Sequence, residues 1–587
     1  MPVDCIAATR FYIDKIVGDA NNPGMKVLLL DDATTKTVAM VYSQTQILEK
    51  DVFLVERLEQ TAKHEAMKHL KAAVFVRPTA ENLVLLKAEL ADPKFAEYHI
   101  FFSNVVPADY LGALADADES ELVRQVQEYF GDYVPVNEEL FTINQRFSLR
   151  LSHDEPAANP KLADMFQRNV SAVLAALLSL KTQPSAIRFQ ATSRIAKEVA
   201  LAVEAAIKED GIFHFSRGAA EEKPVVLILD RADDAVTPLL SQWTYQAMVH
   251  ELLGLNNNRV RIKVDAVVPQ AGGKGPKGPK GADEEIVLSC TQDAFFAKHR
   301  HANFGDLGTA VKTLLDDYQK TTKMNEKIST IEDMQSFMQR YPAFRSQSLN
   351  VTKHVALMSE LSRMVDSCGL MDISQLEQDL ACNDDHAAQW RQLQEKLKSP
   401  QVKTPDKVRL ALLYALRYEA SPNVDRIRAM LDEARVAPEK IALVEAVQKY
   451  GGKASRGPGL FGSGRSLMSK MSKSLKTSLE GVENVYAQHV PLLLTTVGDL
   501  RQGKLKASEY PATTPLPPPQ AGKKEGPRLC IAFIVGGVTY EEATKVAEFN
   551  AAHPNFQVLL GGSYIHNSTS FLDDLADAFG PRSQATF

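Results

Sequence analysis

Residues 225–254 read VVLILDRADDAVTPLLSQWTYQAMVHELLG, with three carboxylates, Asp230, Asp233 and Asp234, at the end of an apolar run. In open α/β sheets, ligands bind in the crevice beyond the carboxyl ends of the strands. Acids at such a point are candidates for proton transfer or for holding a divalent cation. The surroundings argue for framework instead. A catalytic carboxylate pair wants a nearby His, Lys, glycine cradle or second acid cluster, and none is local. Thr237 suits a helix N-cap, Pro238 the first helical position and Gly254 the C-terminal stop. Leu239, Leu240, Trp243, Tyr245, Met248, Val249, Leu252 and Leu253 then surround most of the predicted helix, which means burial. Asp233 and Asp234 precede its start, where the helix dipole favours negative charge by about 0.3–1 kcal/mol each. Arg231 sits beside them as a partner.

Other motifs carry less. Gly459–Ser466, GLFGSGRS, fits G-x-x-x-x-G-[KR]-S with Arg465 in place of lysine. A phosphate cradle follows a buried strand and opens a helix, whereas the preceding KIALVEAVQKYGG reads as a helix, so a loop is predicted. His64 and His69 in HEAMKH are five residues apart, about 140° around a helix, where a zinc pair needs four. GGVTY and GGSYIHNSTS do not complete G-x-G-x-x-G, and tight strand-to-helix turns explain their glycines equally well. No G-x-S-x-G elbow occurs. In the basic run GRSLMSKMSKSLKTS, Met468, Met471 and Leu475 fall near one helical face and would suit an anionic membrane. That face is thin, which favours a solvated lid.

The elements around these motifs set the frame. At 587 residues the chain calls for roughly three or four domains. Its net charge of −6 provides no bulk basic field for nucleic acid. Five scattered cysteines without a C-x-x-C pair fit a reducing compartment. No signal peptide is legible, and the longest apolar run, LCIAFIV, falls short of the ~20 residues of a membrane span. A soluble cytosolic protein is expected, so the N-x-[ST] triplets at Asn169, Asn350 and Asn567 read as chance. KVLLLDD, DVFLVER, AAVFVRP and YHIFFSN alternate with helical stretches such as TAKHEAMKHLK and TAENLVLLKAEL, which argues for βαβ units and a parallel sheet. DYVPVN reads as a closing strand. Residues 160–210 and 290–450 read as helical, and QAGGKGPKGPKGADEE as a mobile loop. After a Pro-rich loop, RLCIAFIVGGVTYEEATKVAEF and FQVLLGGSYIHNSTSFLDDL read as strand, glycine turn, helix. α/β material therefore brackets a helical middle, suggesting a discontinuous domain.

The stretch LILDRADDAVTPLLSQWTYQAMVHELLG resembles the signature of the SM (Sec/Munc) family, cytosolic regulators of SNARE-driven membrane fusion. MKVLLLDDATTKTVAMVYSQTQILEKDVFLVER, GDYVPVN, GVENVYAQHVPLL, VGGVTYEEA and LLGGSYIHNSTSFL resemble the family in the same order, across nearly the whole chain. The first of these and GVENVYAQH are most similar to the branch acting in vacuolar protein sorting between trans-Golgi and endosomes. The Gly/Lys-rich insert and the Pro-rich loop fit least well.

The resemblance implies an α/β plus α fold, a three-domain arch. Domain 1 would be α/β, residues 1–138. Domain 2 would be a discontinuous α/β unit of 139–242 and 480–587, with a mainly helical domain 3, 243–479, inserted. It implies no enzymatic activity, no cofactor and no metal. The implied partner is a syntaxin-type Qa-SNARE, held through its N-terminal peptide and helical body, with an R-SNARE and other SNAREs aligned for assembly. No nucleic acid is implied, membrane association would be indirect through SNAREs at Golgi and endosome, and the protein would be a monomer. The family's N-peptide pocket, an apolar residue after the FF strand and an acid on the next helix, maps to Leu111 in ADYLGALADADES and Glu128 in VQEYF. An apolar pocket beside an acid suits a peptide carrying a basic residue, although on the residues alone Leu111 reads as helix-packing core. A SNARE-facing hairpin maps to RYPAFRSQSLNVTKHVALMSEL, with Pro342 at the bend and Phe344 and Val355 towards the R-SNARE. Pro342 is expected to break the helix, and its use as a two-state switch follows from the resemblance. Two rival readings remain: a nucleotide-dependent enzyme using Gly464 and Arg465, and a peripheral membrane protein using 465–477.

Overall fold

The first apolar runs pair as one parallel sheet. The structure, a computed structural model, describes residues 4–18, 23–63, 65–209, 223–263, 283–325, 331–457, 459–461, 486, 488–515 and 527–580. Strands β1 (Lys26–Leu30), β2 (Val52–Arg57), β3 (Lys71–Val76), β4 (Tyr98–Phe102) and β5 (Val123–Glu128) lie in the order β2-β1-β3-β4-β5. Val27 and Leu29 of β1 join a core with helices Ala80–Ala91 and Ala108–Ala117. Leu28 and Leu30 join another with helices Cys5–Gly18 and Asp32–Val41. Covering on both faces is why these strands are continuously apolar rather than alternating. TAKHEAMKHLK departs from its helical expectation: Leu58–Lys63 form a 3-10 turn and the chain from Glu65 to Leu70 is not helical. The segment has too few apolar residues at helical spacing to anchor a face, and Met67 instead bridges to Phe95. His64 lies outside the described residues.

The second sheet draws on both ends of the chain. Its members are β6 (Val134–Asn137), β7 (Leu140–Thr142), β8 (Ala186–Phe189) and β9 (Val225–Asp230), then two strands from far downstream. Between lies the hairpin of β10 (Arg259–Lys263) and β11 (Asp283–Val287). The downstream strands are β12 (Leu529–Val535), β13 (Val538–Thr539), β14 (Gln557–Gly562) and β15 (Ile565–His566), of which β13 and β15 pair with each other. The order is β6-β7-β14-β12-β9-β8, parallel except for β6–β7. DYVPVN is thus a strand, but it opens this sheet, before the boundary expected at 138. Helices Pro160–Ser179 and Arg194–Glu209 cover one face and helix Tyr540–Ala552 the other. The Gly536–Gly537 turn has φ of +91° and +102°, and a side chain on Gly537 would stand 2.7 Å from the His566 ring.

Residues 304–451 are a run of helices: Phe304–Asn325, Ile331–Cys368, Leu370–Cys382, His386–Lys398, Thr404–Arg417, Asn423–Glu433, Pro438–Ile441 and Leu443–Gly451. Two expectations are corrected here. The helix expected to start at Thr237 and stop at Gly254 is interrupted. Thr237–Leu239 is a 3-10 turn, Leu240 is extended at φ −83° and ψ 145°, and helix resumes at Tyr245–Met248 before a π turn, Val249–Leu253. Hydrogen-bond partners from other parts of the fold, Leu492 N, His489 and Glu377, hold Asp234, Thr237 and Ser241, and they outweigh helical propensity. The expected burial is present throughout 225–250, and Gly254 ends the π turn at φ +80°. Pro342 does not break its helix either, since Ile331–Cys368 is continuous across it. A proline interior to a helix costs about 3 kcal/mol. The remaining backbone bonds of 38 residues, with Val351, Leu357, Leu361 and Val365 buried towards the C-terminal end, outweigh that cost.

Candidate functional site

The DRADD loop resolves as a joint. Asp230 ends β9, and its carboxylate accepts from Ala232 N at 2.9 Å, Ser152 Oγ at 2.9 Å and Ser193 Oγ at 2.7 Å. Asp233 Oδ1 accepts from Gly457 N at 2.7 Å. Asp234 accepts from Thr237 N at 2.9 Å, Thr237 Oγ1 at 2.6 Å and Leu492 N at 3.2 Å. The main partner of Arg231 is Glu542, at 2.8 Å and 311 residues away, with Asp234 at 3.8 Å. Glu542 also accepts from Thr539 N and closes the capping box of helix Tyr540–Ala552. One buried loop therefore ties the second sheet to the end of the helical insertion, to the returning chain and to helix Tyr540–Ala552. Burial pushes the Asp233 carboxyl up to about 6, against the hydrogen bond from Gly457. Burial acts on Asp234 the same way, but Arg231 and His489 beside it hold it below the usual carboxylate range. All three carboxylates are buried and already accept hydrogen bonds, which leaves them structural work rather than proton transfer.

The residues mapped to the peptide pocket lie on the edge of the first sheet. Helix Ala108–Ala117 connects β4 to β5, and Leu114 is buried at 4% exposure while Leu111, one turn earlier, is 43% exposed. The core-packing reading of Leu111 is thereby removed. Glu128 ends strand β5 rather than lying on a helix, which corrects the sequence expectation. Its pairing with Phe102, like that of Val126 with Ile100, puts both residues on the face that helix Ala108–Ala117 covers. β4 offers its free edge to this run, and pairing with it makes the run a strand rather than a helix. Glu128 Oε1 accepts from Val106 N at 2.7 Å, just before that helix begins. Val126, 40% exposed, adds an apolar neighbour on the same face that motif reading did not single out.

A second feature went unread in the sequence. The helix after β1 covers one face of the first sheet and the helix after β3 the other, so the sheet has a switch point between these adjacent strands. A cleft of ≈ 490 Å³ opens there, lined by Asp31, Asp32, Glu59, Arg77, Glu81 and Val84 among others. Asp31 accepts from Arg77 N and Asn82 Nδ2, both at 2.7 Å. Arg77 Nε in turn reaches Asp132, which Arg168 also holds at 2.8 Å. The wall of the cleft is thus fixed to helix Pro160–Ser179. The alternation of strand and helix after KVLLLDD and AAVFVRP was the signal that could have located it.

The hairpin is present as two packed helices, Phe304–Asn325 and Ile331–Cys368, with Tyr318 Oη donating to Ser348 Oγ at 3.0 Å. Pro342 lies inside the second of these helices rather than at a bend. The side chains of Pro342 and Phe344 lie outside the described residues. Val355 is half-buried against the core of the second sheet. Gly464, Arg465, Ser466 and the basic run 465–477 also lie outside the described residues. Among the described residues, no helix is long and apolar enough to cross a membrane.

Known proteins share this architecture along its whole length. Vacuolar protein sorting-associated protein 45 of Rattus norvegicus is 42% identical over 587 residues, covering 99% of this chain and 98% of the relative. Its homolog in Arabidopsis thaliana is 40% identical over 578 residues, covering 98% of each. A solved structure of the SM protein Vps45 in complex with the Qa SNARE Tlg2 superposes with a TM-score of 0.86 at 40% identity, covering 98% of each chain. The model of the Sec1 family matches residues 26–574. With two α/β sheets bracketing a helical insertion and a family match over nearly its whole length, the chain belongs to the Sec1 family of SM proteins.

Proposed function

We propose that this chain is an SM-type SNARE chaperone. It binds a Golgi/endosomal syntaxin and templates SNARE assembly for vesicle fusion in vacuolar and endosomal protein transport. The observation that carries this reading is likeness along the whole chain to an SM protein solved with its Qa-SNARE. In the first domain, exposed Leu111 and Val126 with Glu128 form the pocket for the syntaxin N-peptide, an apolar anchor beside an acid. In the inserted domain, 243–479, Phe344 and Val355 face the R-SNARE, and the stretch around Pro342 is the part whose conformation changes. Holding two SNARE helices in register lowers the entropic cost of zippering them. Recruitment to Golgi and endosomal membranes follows through the bound SNAREs.

Leu111→Arg tests the first step, with a syntaxin N-terminal peptide titrated by calorimetry. Because the side chain is exposed, the variant should fold as the parent does. Losing an apolar anchor and adding a cation beside Glu128 should weaken binding at least tenfold, the equivalent of about 1.4 kcal/mol. Unchanged affinity would remove Leu111 from the pocket.

A further inference from the structure

The base of the long helix Ile331–Cys368 holds a buried polar relay that the joint and the peptide site do not use. His354 is fully buried. Its Nδ1 stands 2.8 Å from the Tyr245 hydroxyl, and its Nε2 stands 3.1 Å from Asp293 Oδ2. Tyr245 opens the short helix beyond the DRADD joint, and its backbone N donates to Ala302 O at 2.9 Å. Asp293 caps helix Ala294–His299 by accepting from Phe296 N at 2.9 Å. Lys353 also donates to Asp293 Oδ2. The Phe295 ring lies 4.5 Å from the imidazole. The titratable groups facing His354 are thus Asp293, Lys353, Tyr245 and, on the far side of Phe295, His299.

Hydrogen-bonding chemistry assigns the protons. Burial would raise the Asp293 carboxyl, but His354 and Lys353 hold it down to about 2, so it is ionised and can only accept. Nε2 must then carry the imidazole proton. Burial, opposed by Asp293, lowers His354, so the ring is neutral at pH 7 and Nδ1 is free to accept from Tyr245. Each polar atom of the ring is matched, and each match comes from a different element.

We infer that Tyr245, His354 and Asp293 form a rotational lock that fixes the face the long helix presents at Val355. His354 is then a positioning residue for SNARE assembly, a claim that rests on the reading under Proposed function. The physical argument is directionality. Burial of Val351, Leu357, Leu361 and Val365 sets which face meets the core, but it is non-directional and discriminates weakly against small rotations and slides. Hydrogen bonds weaken steeply with misalignment. A one-residue slip turns Val355 by about 100°, and such a slip is incompatible with an imidazole bonded at both nitrogens. The lock pins the helix beside Val355 while the stretch nearer Pro342 stays outside its reach.

The test uses the full chain and Tyr245→Phe, which removes one hydroxyl and keeps the ring. In the parent protein, ¹⁵N shifts of His354 at pH 7.5 should show protonated Nε2 and unprotonated Nδ1. In Tyr245→Phe, amide hydrogen exchange should speed up across residues 350–357. Affinity for a recombinant R-SNARE motif should fall roughly tenfold, while N-peptide affinity stays unchanged. A proton on Nδ1, or Tyr245→Phe with parental exchange and parental R-SNARE affinity, overturns the lock. If the parent protein binds no R-SNARE motif, the hairpin step of the proposed function fails, and the tautomer and exchange measurements still decide the lock.

Discussion

Replacing Asp233 with asparagine should stabilise the protein at pH 8 and do progressively less as the pH falls. Asp233 is buried beside Asp234 and Asp230, and burial lifts its carboxyl from 3.8 to about 6. A folded-state pKa above the unfolded value means the acid supports folding fully below about pH 4. That support is lost as the pH rises through about 6. At 1.36 kcal/mol per pH unit, the ionised side chain costs the folded state up to about 3 kcal/mol at pH 8. Asparagine keeps an oxygen to accept from Gly457 N, carries no charge and does not titrate. Its advantage should therefore reach about 3 kcal/mol at pH 8, fall by about half at pH 5 and vanish below about pH 4. For a cooperative unit of 150–250 residues, 3 kcal/mol corresponds to roughly 6–12 °C in melting temperature. The assay is thermal unfolding by circular dichroism at pH 5, 6, 7 and 8. Scan rate is held fixed, because large multidomain chains often unfold irreversibly. An advantage equal at pH 5 and pH 8, or a loss at both, would refute this account of the joint.

Arg231→Leu should be among the more damaging single changes in the joint, because it strands Glu542 in the interior without its cation. Removing one partner of a buried pair costs about 3–5 kcal/mol. Adding Glu542→Gln, which keeps the capping acceptor, should recover a large part of that loss in urea unfolding, and no recovery would show that the pair is not what Arg231 serves. Pro342→Ala should remove the roughly 3 kcal/mol burden of an interior proline from a helix that already continues through it. SNARE assembly in a reconstituted fusion assay should then run faster, and an unaltered rate counts against a switch at this position.

Much of the fold was legible because its causes are local. KVLLLDD, YHIFFSN and LCIAFIV became central or near-central strands, since continuous apolar runs can be buried only from both faces. Thr79 caps its helix and Gly536–Gly537 turn at positive φ, as their residue types require. The order of motifs along the chain led to the family, and DRADD read as framework because no catalytic companion lies near it in sequence, which agrees with the burial and hydrogen bonding of its three carboxylates.

What the chain's folding alone decided is who meets whom. Arg231 chose Glu542 over its neighbours because β9 and β12 lie side by side, bringing together residues 311 positions apart. Leu111 is exposed because helix Ala108–Ala117 packs through Leu114, and local pattern gave no reason to prefer one leucine over the other. Glu128 proved to be on a strand because a partner strand was available at the sheet edge. Pro342 stayed within a helix because tertiary packing further along it outweighed a local penalty. Periodicity, caps and turns depend on residues a few positions apart, so the sequence by itself determined the central strands, many of the helices and the motif order that points to the family. Exposure, ion pairing and helix continuity depend on contacts made across the whole fold, so the working surfaces were decided only in three dimensions.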